Sequence, residues 1–238
     1  MFNILMPMAG DGTRTKSLSE LPKPMIKIFD KPIFEYAASV FNKNNSFYFV
    51  ARQDHNKKYK MFDYIKEFYP NSTIIKQKEK LNGAALSCLL SKNFLYNDTP
   101  LIMCDSDIFI RFDVKEVEKM LANNVDIIII TSKQDSPTYS YIKKSKDLVV
   151  SVFEKQVISN DAISGVIIWK TGKMFFDYLE YMIKNEIKIN NEFYISPSIN
   201  KAIVDGKVVK NIECKVFYHL GTIKDINKFK DEFYDIHV

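Results

Sequence analysis

The residues best placed to do chemistry lie in one stretch, "MPMAGDGTRTKSLSELPKPMI", running from Met6 to Ile26. Gly10 and Gly12 follow an apolar start, "FNIL", and Arg14 stands two residues past the second glycine. Glycines in a turn after a first strand let the backbone approach a phosphate and aim N–H groups at it. Arg14 can neutralise phosphate charge. The long loop then carries Lys23, set between Pro22 and Pro24, back to the same region. A Walker-type cradle would end in Gly-Lys-Ser/Thr, whereas Gly12 is followed by Thr13-Arg14. A dinucleotide fingerprint needs a third glycine where Thr15 stands and an acid ending the second strand, where the sequence reads Ala51-Arg52. Glu35 has roughly the right spacing for that acid but falls in a predicted helix. The turn therefore suits a nucleoside triphosphate held while its α-phosphate is attacked.

Such a turn needs a strand before it and a sheet around it. Met1–Met8 reads as a nearly continuous apolar strand, the kind buried on both faces of a parallel sheet. After the loop Ala9–Pro24, helices are predicted over Pro32–Lys43, Asp54–Phe68 (with Asp54 as N-cap), Asn82–Leu95 and Asp113–Asn123. Strands are predicted over Ser46–Ala51, Thr73–Lys76, Leu101–Cys104 and Val125–Thr131. This alternation predicts an α/β fold with a doubly wound, mostly parallel Rossmann-like sheet. After Thr131 the texture changes to two strands around "KSKD", the strand "AISGVIIWK" and a helix over Gly172–Asn185. Strand candidates at Val208–Val209 and Cys214–Tyr218 and a last helix, Ile223–Phe233, complete the chain. No flexible linker separates the parts. We expect one domain over residues 1–238, with a nucleotide-binding half (1–131) and a mixed-strand acceptor-binding half (132–238).

The quoted stretch resembles the signature of the sugar-phosphate nucleotidyltransferases, or nucleoside-diphosphate-sugar pyrophosphorylases. Its "PMAG" variant is similar to enzymes of capsule and surface-polysaccharide pathways. The resemblance implies the nucleotide-diphospho-sugar transferase fold and assigns Ala9, Gly10, Gly12 and Thr13 to the nucleotide, with Arg14 and Lys23 catalytic. "KQKEKLNGAALS" resembles the family's base-reading segment, placing Gln77, Gly83 and Ala84 at the nucleotide. An amide offers a base edge both a donor and an acceptor. "LIMCDSDIF" resembles the strand ending in the metal-binding aspartate, which makes Asp107 catalytic and the Mg2+ ligand, with Asp105 behind it or capping a helix. Carboxylates at the C-terminal ends of parallel strands lie where open α/β sheets bind ligands, and magnesium takes one or two carboxylates plus phosphate oxygens. "VFEKQ" resembles the Glu-Lys motif, giving Glu154 and Lys155 to the acceptor, joined by Gly165 of "AISGVIIW" and Glu192 of "NNEFYISP". In "FYHLGTIKDINKF", His219 stands where relatives carry a second metal aspartate. Imidazole suits magnesium poorly, so His219 is expected to contact the acceptor or to pack as a structural residue.

The implied reaction joins an NTP (CTP, UTP, dTTP or GTP) to a small phosphorylated acceptor, a sugar-1-phosphate or similar, and releases pyrophosphate. Phosphocholine or a phosphorylated amino-acid derivative is the alternative acceptor. An NAD-dependent oxidoreductase and an inactive nucleotide-binding protein are the alternatives from other classes. Net charge is +5 with lysines scattered among acids, which argues for anionic small molecules and against nucleic acid. No apolar run is long enough for a membrane helix and no signal peptide is read, so a cytoplasmic protein is expected. Cys88, Cys104 and Cys214 are too far apart and too few to form a disulfide framework, and read as reduced thiols. Relatives are often dimers or tetramers, which implies a homo-oligomer without locating its interface.

Overall fold

The computed structural model describes residues 1–233. The chain opens with β1 (Asn3–Pro7), then a long loop that contains the short pair β2 (Lys27–Ile28) and β3 (Lys31–Pro32). Next come α1 (Ile33–Ala38), β4 (Ser46–Arg52), α2 (Gln53–Tyr59), α3 (Met61–Phe68), β5 (Thr73–Gln77), α4 (Ala84–Leu89), α5 (Lys92–Leu95) and β6 (Leu101–Cys104). The second half holds β7 (Ile108–Arg111), α6 (Val114–Ala122), β8 (Ile127–Lys133), β9 (Tyr141–Ser145), β10 (Leu148–Phe153) and β11 (Asp161–Trp169). It ends with α7 (Gly172–Lys184), α8 (Ser196–Val204), β12 (Val209–Glu213), β13 (Val216–His219) and α9 (Ile223–Glu232).

Strands β5, β4, β1 and β6 lie side by side and parallel, in that order. Beyond β6 the sheet continues through β11, which runs antiparallel to β6 and to β8, and β12 adds parallel to β8. The sheet is thus mostly parallel by direction, as expected, with one difference. β8, the strand predicted next after β6 in the chain, does not pair with it; β11 lies between them. Continuous apolar strands fit because both faces are covered: Ile4 and Met6 enter the core on one face and Leu5 the core on the other. In β8, Ile128 and Ile130 face one core and Ile127 and Ile129 the other. Such double burial is typical of parallel sheets with helices on both sides.

Several boundaries differ from the sequence reading. The helix expected over 54–68 is two helices, because Lys60 adopts a left-handed conformation (φ 53°) and ends α2. Asp54 is not a cap; it lies within α2 and pairs with Arg52. The helix expected over 82–95 breaks into α4 and α5 at Leu90–Ser91. Strand β7 was not foreseen, and it forms a separate antiparallel pair with β13 in which His219 stands opposite Ile108. The three cysteines are free thiols, and among the described residues no helix is long and apolar enough to cross a membrane.

Candidate active site

The order of the sheet reverses at β1, which has β4 on one side and β6 on the other. Ligands of open α/β sheets sit at such a switch point, outside the carboxyl ends of the strands. The glycine turn leaves β1 there and Asp105-Ser106-Asp107 leaves β6 there. A groove of about 440 Å³ opens between them. It is lined by the turn from Ala9 to Arg14, by Lys23, by Gly83 and Ala84 ahead of α4, and by both aspartates.

The turn is fixed from within. Gly12 is left-handed (φ 60°), and its carbonyl accepts from the Thr15 backbone N–H (3.0 Å) and Oγ1 (2.9 Å). This tightens residues 13–15 into one short turn and leaves Arg14 exposed on the rim. Asp11, the acid inside this turn, is held by Lys80 (2.5 Å) and by Arg52 at the end of β4. The Lys80 hydrogen bond, helped by Arg52 and opposed by burial, keeps its carboxyl below the usual range. The negative charge inside the turn is thereby neutralised.

Lys23 reaches across the groove to Asp107, with Nζ 2.5 Å from Oδ2. The pairing of β13 with β7 carries His219 to the same oxygen, with Nε2 at 3.3 Å. The other ring nitrogen, Nδ1, lies 3.1 Å from Oδ2 of Asp225, which also accepts from Thr222 Oγ1 (2.6 Å). His219 is thus clamped between two carboxylates. Burial favours its neutral form, but Asp107 and Asp225 outweigh this and raise its pKa. For Asp107, burial acts upward, yet the Lys23 charge and the His219 hydrogen bond hold its carboxyl well below the usual range. Asp105 behaves oppositely: burial, with the nearby Asp107 charge, pushes it up to about 7. It caps no helix. Its N–H donates to the Gly165 carbonyl (2.8 Å), and its carboxylate packs against Gly165 in the bulged middle of β11. Gly165 is left-handed (φ 74°), and a Cβ there would lie 2.7 Å from Asp105 Oδ2, so only glycine fits.

A second cavity, about 700 Å³, adjoins the groove and shares Arg14, Ala84, Asp105, Asp107 and Glu192 with it. Glu154 and Lys155 follow β10 and line it, with Gly165, Tyr194 and His219. Glu154 is 8% exposed and accepts from the hydroxyls of Ser140 and Ser196. Lys155, itself left-handed (φ 55°), donates to the Tyr194 hydroxyl and lies 4.3 Å from the centre of that ring. The Tyr194 hydroxyl in turn donates to Glu192.

Every predicted site residue except Gln77 thus lines one cavity or the other. Gln77 is buried at the end of β5, where its amide N–H donates to the Glu79 carbonyl (2.9 Å) and shapes the loop leading to Gly83. Gly83 is required for a reason other than close approach by a base. At φ 116° its α-carbon faces the Phe193 backbone, and a Cβ would collide with the Phe193 carbonyl. Sequence reasoning missed Arg52, Tyr139, Ser140, Tyr194, Ser196 and Asp225. The Asp225 spacing was readable, because Thr222 and Asp225 form the Ser/Thr-x-x-acid start of α9.

Among the described residues no group of three or more His, Cys, Asp or Glu has metal-holding geometry. The donors at the strand end are nonetheless those of a hard cation that brings its own phosphate ligands. Asp107 Oδ2 carries Lys23 and His219, no hydrogen bond from the described residues reaches its second oxygen or the Asp105 carboxylate, and both residues line the groove.

Residues 3–233 match the family model described as nucleotidyl transferase. Among solved structures, a nucleoside-diphosphate-sugar pyrophosphorylase from Vibrio cholerae superposes with a TM-score of 0.83 at 17% identity, covering 96% of this chain and 99% of that one. A UDP-glucose pyrophosphorylase complexed with UDP-glucose gives 0.79 at 17% identity, over 99% of each chain. The inositol-1-phosphate CTP transferase from T. maritima gives 0.75 at 15% identity, over 98% of this chain and 95% of that one. No curated protein sequence matches the chain.

Proposed function

The chain belongs to the nucleotidyl transferase family, and from that premise and the site's geometry we propose that it transfers a nucleoside monophosphate from an NTP to a small phosphorylated acceptor. The observation that carries this reading is the pair of adjoining cavities with Arg14, Asp107 and Glu192 on their shared wall. One side presents a glycine turn with a fixed backbone, the other a lysine and a buried glutamate. Sugar-1-phosphates are the leading acceptor class, in keeping with the pyrophosphorylases among the structural neighbours. A precursor for capsule or surface polysaccharide made in the cytoplasm is the product we expect. A non-sugar phosphate is the second reading, favoured by His219 at the position of an expected aspartate.

In this reaction an oxygen of the acceptor's phosphate forms a bond to the α-phosphorus of the NTP. The bond from that phosphorus to the oxygen bridging to the β-phosphate breaks, and the electron pair leaves on pyrophosphate. The attacking oxygen is already anionic, so no general base is required. The protein contributes position and charge neutralisation. The turn over Gly10–Thr13 aims backbone N–H groups at the triphosphate, and Arg14 on the rim balances the charge that gathers on the α-phosphate and leaving group. Lys155, steadied by Tyr194, holds the attacking phosphate in line. Lys23 and His219 keep Asp107 ionised and oriented. Magnesium held by Asp107 together with the triphosphate would supply further charge neutralisation. The test is pyrophosphate release with four NTPs against a panel of phosphorylated acceptors. Release that requires both substrates is expected; no release from any pair would overturn the reading.

A further inference from the structure

Asp11, in the middle of the glycine turn, has two cationic partners of different kinds. Arg52 meets its Oδ1, and Lys80 meets its Oδ2 at 2.5 Å. Arg52 is anchored: its side chain is 15% exposed, and its Nε and Nη2 donate to the two oxygens of Asp54. Lys80 is 69% exposed and has no other acidic partner among the described residues. Asp11 and Lys80 line the groove, whereas Arg52 does not. The loop after β5 brings Lys80 there, and the Gln77 amide holds that loop by its bond to the Glu79 carbonyl (2.9 Å).

An ion pair this exposed contributes little to stability, and lysine's flexible stem lets the ammonium change partner with little loss. When Lys80 leaves, Asp11 stays paired through Oδ1, so no carboxylate is stranded. Three cations among the described residues line the groove, Arg14, Lys23 and Lys80, and Lys23 is engaged by Asp107. A triphosphate laid against Gly10–Thr13 comes beside Lys80, because Asp11 lies within that turn. Its oxygens attract an ammonium more strongly than a carboxylate already shared with Arg52. Arg14 and Asp107 line both cavities, whereas Asp11 and Lys80 line the groove alone. The α-phosphorus has to lie at the shared wall to be attacked, which leaves Lys80 for the phosphates beyond it.

Resting on the nucleotidyl-transfer reading, we propose that Lys80 is an NTP-binding residue that exchanges Asp11 for the β- and γ-phosphates when NTP binds. Asp11 is its resting partner. Arg52, fixed by Asp54, keeps Asp11 neutralised and in place after the exchange.

The test is calorimetric binding of CTP, UTP, dTTP and GTP, and of the matching monophosphates, to the full-length protein with magnesium present. Lys80→Met should weaken the preferred NTP by about tenfold and leave its NMP nearly unchanged. An equal loss for NTP and NMP, or no loss for either, overturns the proposal. Lys80 could also act only by neutralising Asp11, and a double variant separates the two roles. On an Asp11→Asn background, which keeps the shape and removes the charge, Lys80→Met should still weaken NTP by about tenfold. Disappearance of the loss on that background overturns the proposal and leaves nucleotidyl transfer standing. Failure of the wild type to bind any NTP overturns the nucleotidyl-transfer reading itself.

Discussion

Lys23 and Asp107 are 84 residues apart in the chain, yet Nζ of one lies 2.5 Å from Oδ2 of the other. The pair ties the loop after β1 to the end of β6, the two parts of the sheet's switch point. Both side chains are mostly buried, at 17% and 14% exposure. Coulomb attraction is therefore screened less here than at an open surface.

That relationship sets the first expectation. Lys23→Met leaves Asp107 facing the Asp105 carboxyl with only His219 to oppose it. Steady-state pyrophosphate release should fall in kcat by about 10- to 100-fold, the scale of losing a partner that orients a metal-holding carboxylate. Lys23→Arg, which keeps the charge, should recover part of the rate. Full-rate turnover by Lys23→Met would remove Lys23 from the catalytic group.

The same cluster predicts a direction for stability against pH. Asp105 has a folded pKa pushed up to about 7 from an ordinary 3.8, and His219 is raised above 6.5. Both groups bind protons more tightly in the folded chain. Their contribution is complete below the unfolded pKa values and is lost as pH rises through the folded ones. Asp107 has the opposite sign, but its contribution is lost only as pH falls below 3.8. Melting temperature should therefore decline between about pH 4 and about pH 7 from Asp105, and further as His219 loses its proton. Thermal unfolding across that range, repeated with Asp105→Asn, checks this. The variant should show a shallower decline, and a wild-type Tm that climbs across the window would contradict it.

Much of the site was legible in the sequence because its parts are local. The turn from Ala9 to Arg14, Asp107 after a buried strand, and the Glu154-Lys155 pair are short motifs tied to strand ends. What could not be read depends on partners distant in the chain. Arg52 matters through Asp11, Ser140 and Ser196 through Glu154, and Tyr194 through Lys155. Isolated serines and tyrosines carry no signal of this kind. The fold shows the same division. Alternating apolar strands and amphipathic helices were readable, whereas the insertion of β11 between β6 and β8 is a long-range pairing that no local pattern marks. Gln77 shows the converse: a motif position whose side chain turns inward to brace its own loop.

Tyr194 offers a separable test of how the acceptor's phosphate is held. Its hydroxyl accepts from Lys155 and donates to Glu192, and its ring lies beneath the Lys155 ammonium. Tyr194→Phe keeps the ring and removes both hydrogen bonds. A hydrogen bond to a charged group contributes about 1.5–3 kcal/mol, so acceptor KM should rise roughly 10- to 100-fold. The KM for NTP should stay near wild type, because Tyr194 lines the acceptor cavity and not the groove. Lys155→Ala should raise acceptor KM in the same direction. If Tyr194 acts by positioning Lys155, adding Tyr194→Phe to Lys155→Ala should change little, since the second substitution then removes a bond that no longer exists. Additive losses in the double variant would instead place Tyr194 in direct contact with the acceptor, independent of the lysine.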